Sequence, residues 1–391
     1  IYTGEDTLSL HDALPIFTFA RNSNPSKSNI IKIGTNLDLY WHGLETRIFD
    51  NHCFSSKYAT KKLVNKIKEI KPDIIHLHHL HGYFINIEIL FKYLKESETP
   101  VIWTFHDCWS FTGHCTHFDF VGCEKWKTEC YQCEQKNEYP KSFIFDRSQQ
   151  NYIDKKRIFN SIKNLTIVPV SNWLASKVKE SFLKNYSCLV IQNGIDLDMF
   201  YPKRSRASID ELYNLAGKFI VLGVASTWEK RKGLEEFVKL NKLIDHNIYS
   251  VVLVGLSKSL IQKLPKSIIG IERTENVGQL ADLYSAADVF LNPTFEDTFP
   301  TTNLESMACG TPVVTYKTGG SVESINKDTG FVVEVGDIKG LLIAIDVVRS
   351  NGNDFYEHNC RMQAVENFDK KIKFNDYLEL YKNILKNKDG E

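Results

Sequence analysis

The stretch NPTFEDTFPTTNLESMACGTPVVTYKTG, residues 292–319, decides the fold. Residues 289–291 just before it end a buried strand, and residues 293–300 form a polar loop. Thr302-Asn303-Leu304-Glu305 then opens a short helix, which Gly310 and Pro312 stop before Val313 starts the next strand. A loop at the carboxyl end of a strand that feeds a helix N-terminus is where open α/β sheets bind phosphorylated ligands. The acids of this stretch, Glu296, Asp297 and Glu305, can accept hydrogen bonds from hydroxyl groups. A simpler use stands beside that one: Thr302-x-x-Glu305 is also a capping box, which needs no ligand.

Outward from this stretch the chain alternates strand-like and helical segments. In the first half, residues 73–78, 100–105, 165–169 and 189–192 read as strands, and residues 59–69, 85–95, 152–161 and 173–182 as helices. The second half repeats the pattern. Strands are expected at 219–224, 249–254, 288–291, 313–316 and 330–333, with helices at 233–243, 280–286, 338–349 and 373–386. Strands alternating with helices predict α/β domains with parallel sheets and right-handed crossovers. At 391 residues the chain suits two such domains.

The acidic stretch resembles the nucleotide-sugar site of the retaining family-4 glycosyltransferases, the group 1 glycosyl transferases. Their E-x7-E motif sits in a PS-x-x-E-G-F-x5-E-A-M-A-x-G-x-P-V-V context. Counting back from Glu305, a gap of seven residues lands on Asp297 and a gap of eight on Glu296, so either acid can stand for the first glutamate. Residues 193–202, NGIDLDMFYP, are similar to the family's interdomain hinge. The resemblance implies the GT-B architecture, two Rossmann-like domains facing a cleft. The expected division is an acceptor-side domain at 17–195, a nucleotide-sugar domain at 196–370, and a terminal helix at 371–391 that packs back on the first domain. Residues 1–16 match neither a strand nor a helix pattern and resemble a translated adaptor, so the family's first strand and Gly-rich loop are expected to be missing.

Site residues follow from the same resemblance. Lys232, in STWEKRKG at 226–233, falls on the family's diphosphate-binding lysine. The preceding family arginine falls on Ser226, which leaves Arg231 or Lys230 to supply that contact. Asp297 or Glu296 would hold the sugar, Glu305 the ribose, and Thr301, Thr302, Asn303, Gly319 and Gly320 would line the donor, with Glu323 in support. His106, at a strand end beside Asp107, resembles the family histidine that approaches the donor sugar and acceptor. Such enzymes neutralise the leaving pyrophosphate with basic side chains and a helix N-terminus, so no catalytic metal is expected.

Two clusters remain. His76, His78, His79 and His81 crowd one strand end, where packing, cleft lining or metal ligation are all open. An insert at 113–135 carries Cys115, Cys123, Cys130 and Cys133, and four thiols so close together in an intracellular protein point to a structural zinc more than to disulfides. His114 or His117 can replace one of them.

The chain has 48 basic and 48 acidic residues, so nothing implies a polyanion-binding surface or a nucleic-acid partner. No apolar run reaches membrane-spanning length. A cytoplasmic setting is expected, with peripheral contact at the inner membrane face where lipid-linked acceptors lie. The expected function is transfer of a hexosyl group from a nucleotide-diphosphate sugar to a polysaccharide or lipid-linked oligosaccharide in exopolysaccharide biosynthesis. The insert and the HDCWSFTGHC segment at 106–115 are most similar to transferases of the colanic-acid type. Two alternatives stand: a non-catalytic nucleotide-sugar-binding or docking protein with a zinc-stapled insert, and another GT-B enzyme such as an epimerase.

Overall fold

Strands buried on both faces read as unbroken apolar runs, and such strands pair in parallel beneath covering helices. Tyr249–Val254 is buried at all six positions and Val101–Phe105 at all five. The computed structural model describes residues 16–20, 28–203 and 206–389. Of the leader assigned to residues 1–16, all but Ile16 lies outside the described residues.

The chain divides into two compact units, the first ending at Ile191 and taking in Phe374–Glu391, the second covering Gln192–Lys373. In the first unit β1 (Ile16–Phe19) and β2 (Asn29–Lys32) pair in parallel with each other. Helices α1 (Asn36–Phe49) and α2 (Lys57–Ile70) follow. Then β3 (Ile75–Leu77), α3 (Ile87–Ser97), β4 (Val101–Phe105), α4 (Ser148–Phe159), β5 (Leu165–Pro169), α5 (Asn172–Glu180) and β6 (Ser187–Cys188) build a parallel sheet of order β3-β4-β5-β6.

The second unit holds α6 (Ala207–Tyr213), β7 (Phe219–Val224), α7 (Leu234–Asn241), β8 (Tyr249–Val254), α8 (Lys258–Ile261) and β9 (Ile268–Ile271). It continues through α9 (Val277–Ala286), β10 (Val289–Asn292), α10 (Thr301–Ala308), β11 (Val313–Tyr316), β12 (Gly330–Val333), α11 (Ile338–Asn351) and α12 (Asn353–Phe368). Its sheet is parallel throughout, in the order β12-β11-β10-β7-β8-β9. The chain starts in the middle at β7, builds outward through β8 and β9, then returns to lay β10 on the other side of β7. Strand order therefore reverses between β7 and β10, and a reversal of this kind opens a crevice at the carboxyl ends of the two strands. The terminal helix α13 (Lys370–Asp389) belongs to the first unit from Phe374 onward.

Alternation along β4 sorts its side chains onto two faces. Trp103 meets Phe91 of α3 and Phe159 of α4, with ring centroids 5.5 and 4.9 Å away. Ile102 faces the opposite layer, where Val168, Ile191 and the α13 residues Tyr377, Leu380, Tyr381 and Ile384 pack together. Beyond β4 the chain is held by Lys155, whose buried ammonium donates to the Trp109 and Thr112 carbonyls at 2.8 and 3.0 Å. Burial pulls its pKa down to about 7.

Two local expectations need correction, and one helix was not foreseen. The strand placed at 189–192 forms at Ser187–Cys188, although Leu189 and Ile191 still donate to the Ile167 and Pro169 carbonyls of β5. Helix α1 is not among the expected helices although Leu37, Tyr40, Trp41 and Leu44 stand at helical spacing; it turns that apolar stripe outward, exposed, and buries His42 and Thr46 instead. The capping box of Thr302 and Glu305 is not made. Pro300 is the N-cap of α10, without a side-chain cap bond, so both residues lie inside the helix.

Candidate active site

The crevice between β7 and β10 is bordered by the loops that leave those strands, and the two loops meet through a charged pair. Lys232 Nζ donates to Asp297 Oδ2 at 2.6 Å, with the two side chains only 24% and 14% exposed. Lys232 closes a single tight turn, Lys230–Lys232, and Gly233 follows at φ 75° to start α7. A Cβ at Gly233 would lie 2.2 Å from the Pro293 carbonyl oxygen, so only glycine lets the loops approach this closely. Backbone bonds lock them: Phe295 N–H and the Thr294 hydroxyl both donate to the Arg231 carbonyl.

A third loop, after β11, closes on the main chain of the same aspartate. Gly320 N–H donates to the Asp297 carbonyl at 3.0 Å, and Gly319 sits at φ 48° with no room for a Cβ, which would be 2.0 Å from that oxygen. Gly319→Ala is therefore expected to destabilise the protein by about 1–3 kcal/mol through strain and loop displacement. A urea midpoint equal to that of the unchanged chain would contradict this.

Of the expected donor residues, Lys232, Asp297, Gly319 and Gly320 come together in this way. Arg231 directs its guanidinium to Glu229 at 2.9 Å instead. Glu296 is buried in the loop, 2% exposed, and its carbonyl accepts from the Thr294 hydroxyl. Thr301 and Thr302 form the half-exposed first turn of α10. Asn303 is fully buried: it accepts from Asn292 and donates to Ser321 and Ser324, so it holds the third loop in place from behind. Glu305 lies one turn further along α10, buried, and accepts from the Tyr284 hydroxyl at 2.9 Å. Burial pushes its pKa up to about 7, against the pull of that hydrogen bond.

In the first unit His106 follows β4, and a row of imidazoles surrounds it. Its Nε2 lies 3.1 Å from His78 Nδ1, and its ring stacks on His79 with centroids 4.5 Å apart. Burial, reinforced by the neighbouring His79 and His78, holds the His106 pKa well below the usual histidine range, so the ring is neutral near pH 7. His76 and His78 share a face, as strand alternation requires, with rings 4.2 Å apart. Both nitrogens of His76 are engaged, by Tyr381 and Thr104. Asp107 accepts from Trp109 N–H through Oδ1 and meets His81 Nε2 through Oδ2 at 2.7 Å.

The four insert cysteines are not gathered at one point. Cys115 and Cys133 are hydrogen-bonded to each other, while Cys130 accepts from Gly113 N–H at 3.2 Å. Cys123 is half-buried in a different turn. Through the bond from Cys115, against the effect of burial, the Cys133 thiol is drawn down to about 7. His114 bonds Asp50 at 2.6 Å and His117 bonds Thr116 at 3.1 Å. Among the described residues, one group of three His, Cys, Asp or Glu side chains has its ligand atoms mutually within 4.8 Å: His79, His81 and Asp107. Sequence reasoning passed over Asp107 as a member of that group, and over Tyr284 as the partner of Glu305. The tyrosine sits in a segment whose pattern reads only as core helix.

Two successive parallel-sheet units of Rossmann type are the GT-B architecture, and solved glycosyltransferases share it. The structure of HepE from Anabaena in complex with UDP superposes with a TM-score of 0.64 at 15% identity, covering 91% of this chain and 86% of that one. The Glycosyltransferase Family 4 model matches residues 19–199, and the model for Glycosyl transferases group 1 matches residues 218–351. The chain belongs to the group 1, family 4 glycosyltransferases. Among curated relatives, WcaC of Escherichia coli K12, described as a colanic acid biosynthesis glycosyl transferase, is 34% identical over 134 residues, 32% of each chain. CapM of Staphylococcus aureus, a capsular polysaccharide biosynthesis glycosyltransferase, is 23% identical over 241 residues, 58% of this chain and 63% of that protein. The chain thus spans about a third and under two thirds of the lengths of these two relatives. Among the described residues no helix is long and apolar enough to cross a membrane.

Proposed function

We propose that the protein transfers a hexosyl group, with retention at the anomeric carbon, from a nucleotide-diphosphate sugar to a glycan or lipid-linked oligosaccharide in surface polysaccharide assembly. The observation that carries this reading is the Lys232–Asp297 pair at the strand-order reversal, joined by the Gly319–Gly320 turn. A lysine there meets a diphosphate as a point charge, and an adjacent carboxylate accepts from sugar hydroxyls. Arg231 adds positive charge at the rim, and the first turn of α10 directs its N–H groups, Thr301 and Thr302 among them, toward anionic oxygens. Glu305 takes the ribose. His106, neutral and held by His78, serves the transfer step itself, as in the family. The leaving diphosphate is neutralised by these groups without a metal ion at that position.

Relatives named for colanic acid and capsular polysaccharide synthesis support the acceptor class. The exposed Leu37, Tyr40, Trp41 and Leu44 of α1 support peripheral contact with a cytoplasmic membrane face, where apolar and aromatic side chains enter the headgroup layer. Incubation with a panel of UDP- and GDP-sugars tests the reading. Acceptor-stimulated nucleotide release from at least one donor, with an axial anomeric product seen by NMR from an α-linked donor, is the expected result. Tight nucleotide binding without any release would point to a non-catalytic binding protein; the absence of both would remove the assignment.

A further inference from the structure

The loops after β3 and β4 bring three ligand atoms to one point. His81 Nε2 lies 2.7 Å from Asp107 Oδ2 and 3.2 Å from His79 Nδ1, and His79 Nδ1 lies 3.8 Å from Asp107 Oδ2. A triangle with these sides has a circumradius of about 1.9 Å, so a point just off its plane is about 2.0–2.2 Å from all three atoms, the bond length of a zinc-class cation to imidazole and carboxylate.

Proton bookkeeping asks for a cation there. The one hydroxyl proton of Tyr139 is donated to the His81 carbonyl. Where His81 Nδ1 meets the same tyrosine oxygen, at 3.4 Å, the imidazole is therefore the donor. A neutral His81 with its proton on Nδ1 turns the Nε2 lone pair toward Asp107 Oδ2. Two lone pairs at 2.7 Å repel unless a positive charge lies between them. A cation at that point relieves the repulsion, and a second imidazole nitrogen, His79 Nδ1, converges on the same point.

Each ligand is oriented from behind. Trp109 N–H holds Asp107 Oδ1 at 2.9 Å, which leaves Oδ2 for the ion, Tyr139 fixes the tautomer of His81, and His106 stacks on His79. We propose that His79, His81 and Asp107 bind one divalent transition cation of the zinc class, pinning the loop after β3 to the loop after β4. Two imidazoles and one carboxylate are a borderline donor set suited to zinc, cobalt(II) or iron(II) in preference to magnesium or calcium. Three protein ligands leave the ion open positions for a water or a hydroxyl oxygen of a ligand. The site uses none of the insert cysteines.

Cobalt(II) added to chelator-stripped full-length protein reads the site directly. One equivalent is expected to give visible ligand-field absorption without a thiolate-to-metal charge-transfer band, and zinc is expected to displace it. His79→Gln and His81→Gln each lower the affinity at least tenfold, while Cys115→Ser with Cys133→Ser leaves the spectrum unchanged. No visible band at saturating cobalt, or a band that the cysteine variant abolishes and His79→Gln does not, overturns the proposal. Should the histidine variants fail to fold, the unchanged chain still decides. Zinc must shield His79 and His81 from diethyl pyrocarbonate, and equal labelling with and without zinc refutes the site.

Discussion

Lys232→Ala is expected to lower kcat/KM for sugar transfer by about a hundred- to a thousandfold, the loss found when one preorganised charged donor is removed from a developing anion. Two effects add. The ammonium no longer faces the departing diphosphate, and Asp297, only 14% exposed, loses its cationic partner beside an anionic substrate while Phe299 N–H still donates to it. Part of the loss is therefore repulsion, which Asp297→Asn in the same chain relieves. The double variant is expected to fall less than the product of the two single losses, the signature of directly coupled residues. Arg231→Ala is the internal control. Its guanidinium is paired with the partly exposed Glu229 and not with the acidic loop, so its loss changes kcat/KM less than about tenfold. Steady-state kinetics with calorimetric donor binding decide the matter. A folded Lys232→Ala variant within tenfold of the unchanged chain would show that the diphosphate is held elsewhere.

Much of this architecture was legible because fully buried parallel strands are apolar along their whole length. The runs at 101–105, 165–169, 219–224, 249–254 and 313–316 became strands at those positions. At the sheet edge the signal weakens: β6 has one exposed and one half-buried residue, and its predicted position slipped by two. What periodicity does not carry is who neighbours whom. That β10 returns to the far side of β7 is a pairing of residues 68 apart, Val289 with Val221, and it makes the loops holding Lys232 and Asp297 adjacent. Two acids next to each other in the chain gave no local reason to prefer one, whereas the folded loop turns the Asp297 carboxylate to Lys232. His81 and Asp107 were each noticed in their own segment; their convergence depends on β3 lying beside β4.

Glu305 supplies the second large effect, and its sign follows from burial. An ordinary glutamate ionises near pH 4.5 in the unfolded chain, but in the folded protein desolvation, only partly offset by the Tyr284 hydroxyl, pushes the pKa up to about 7. The folded state therefore holds a proton that the unfolded state releases. Stability is highest below about pH 4.5, declines as pH rises toward about 7, and is flat above, a span of about 3 kcal/mol from this one group. Glu305→Gln, which keeps an acceptor for Tyr284 and cannot ionise, is expected to abolish that slope in urea titrations between pH 5 and 7.5. Ligand binding should show the mirror image. A ribose hydroxyl donates best to the ionised carboxylate and replaces the water that burial denies it, so nucleotide affinity is expected to rise through pH 7 by about tenfold, with release of a fraction of a proton. Calorimetry in two buffers of different ionisation enthalpy measures the proton, and a 2′-deoxynucleotide separates the ribose contact from the diphosphate. If affinity is level between pH 6 and 8, or if the deoxynucleotide shows the same dependence as the ribonucleotide, then Glu305 does not hold the ribose and its buried charge serves the packing of α9 against α10 alone.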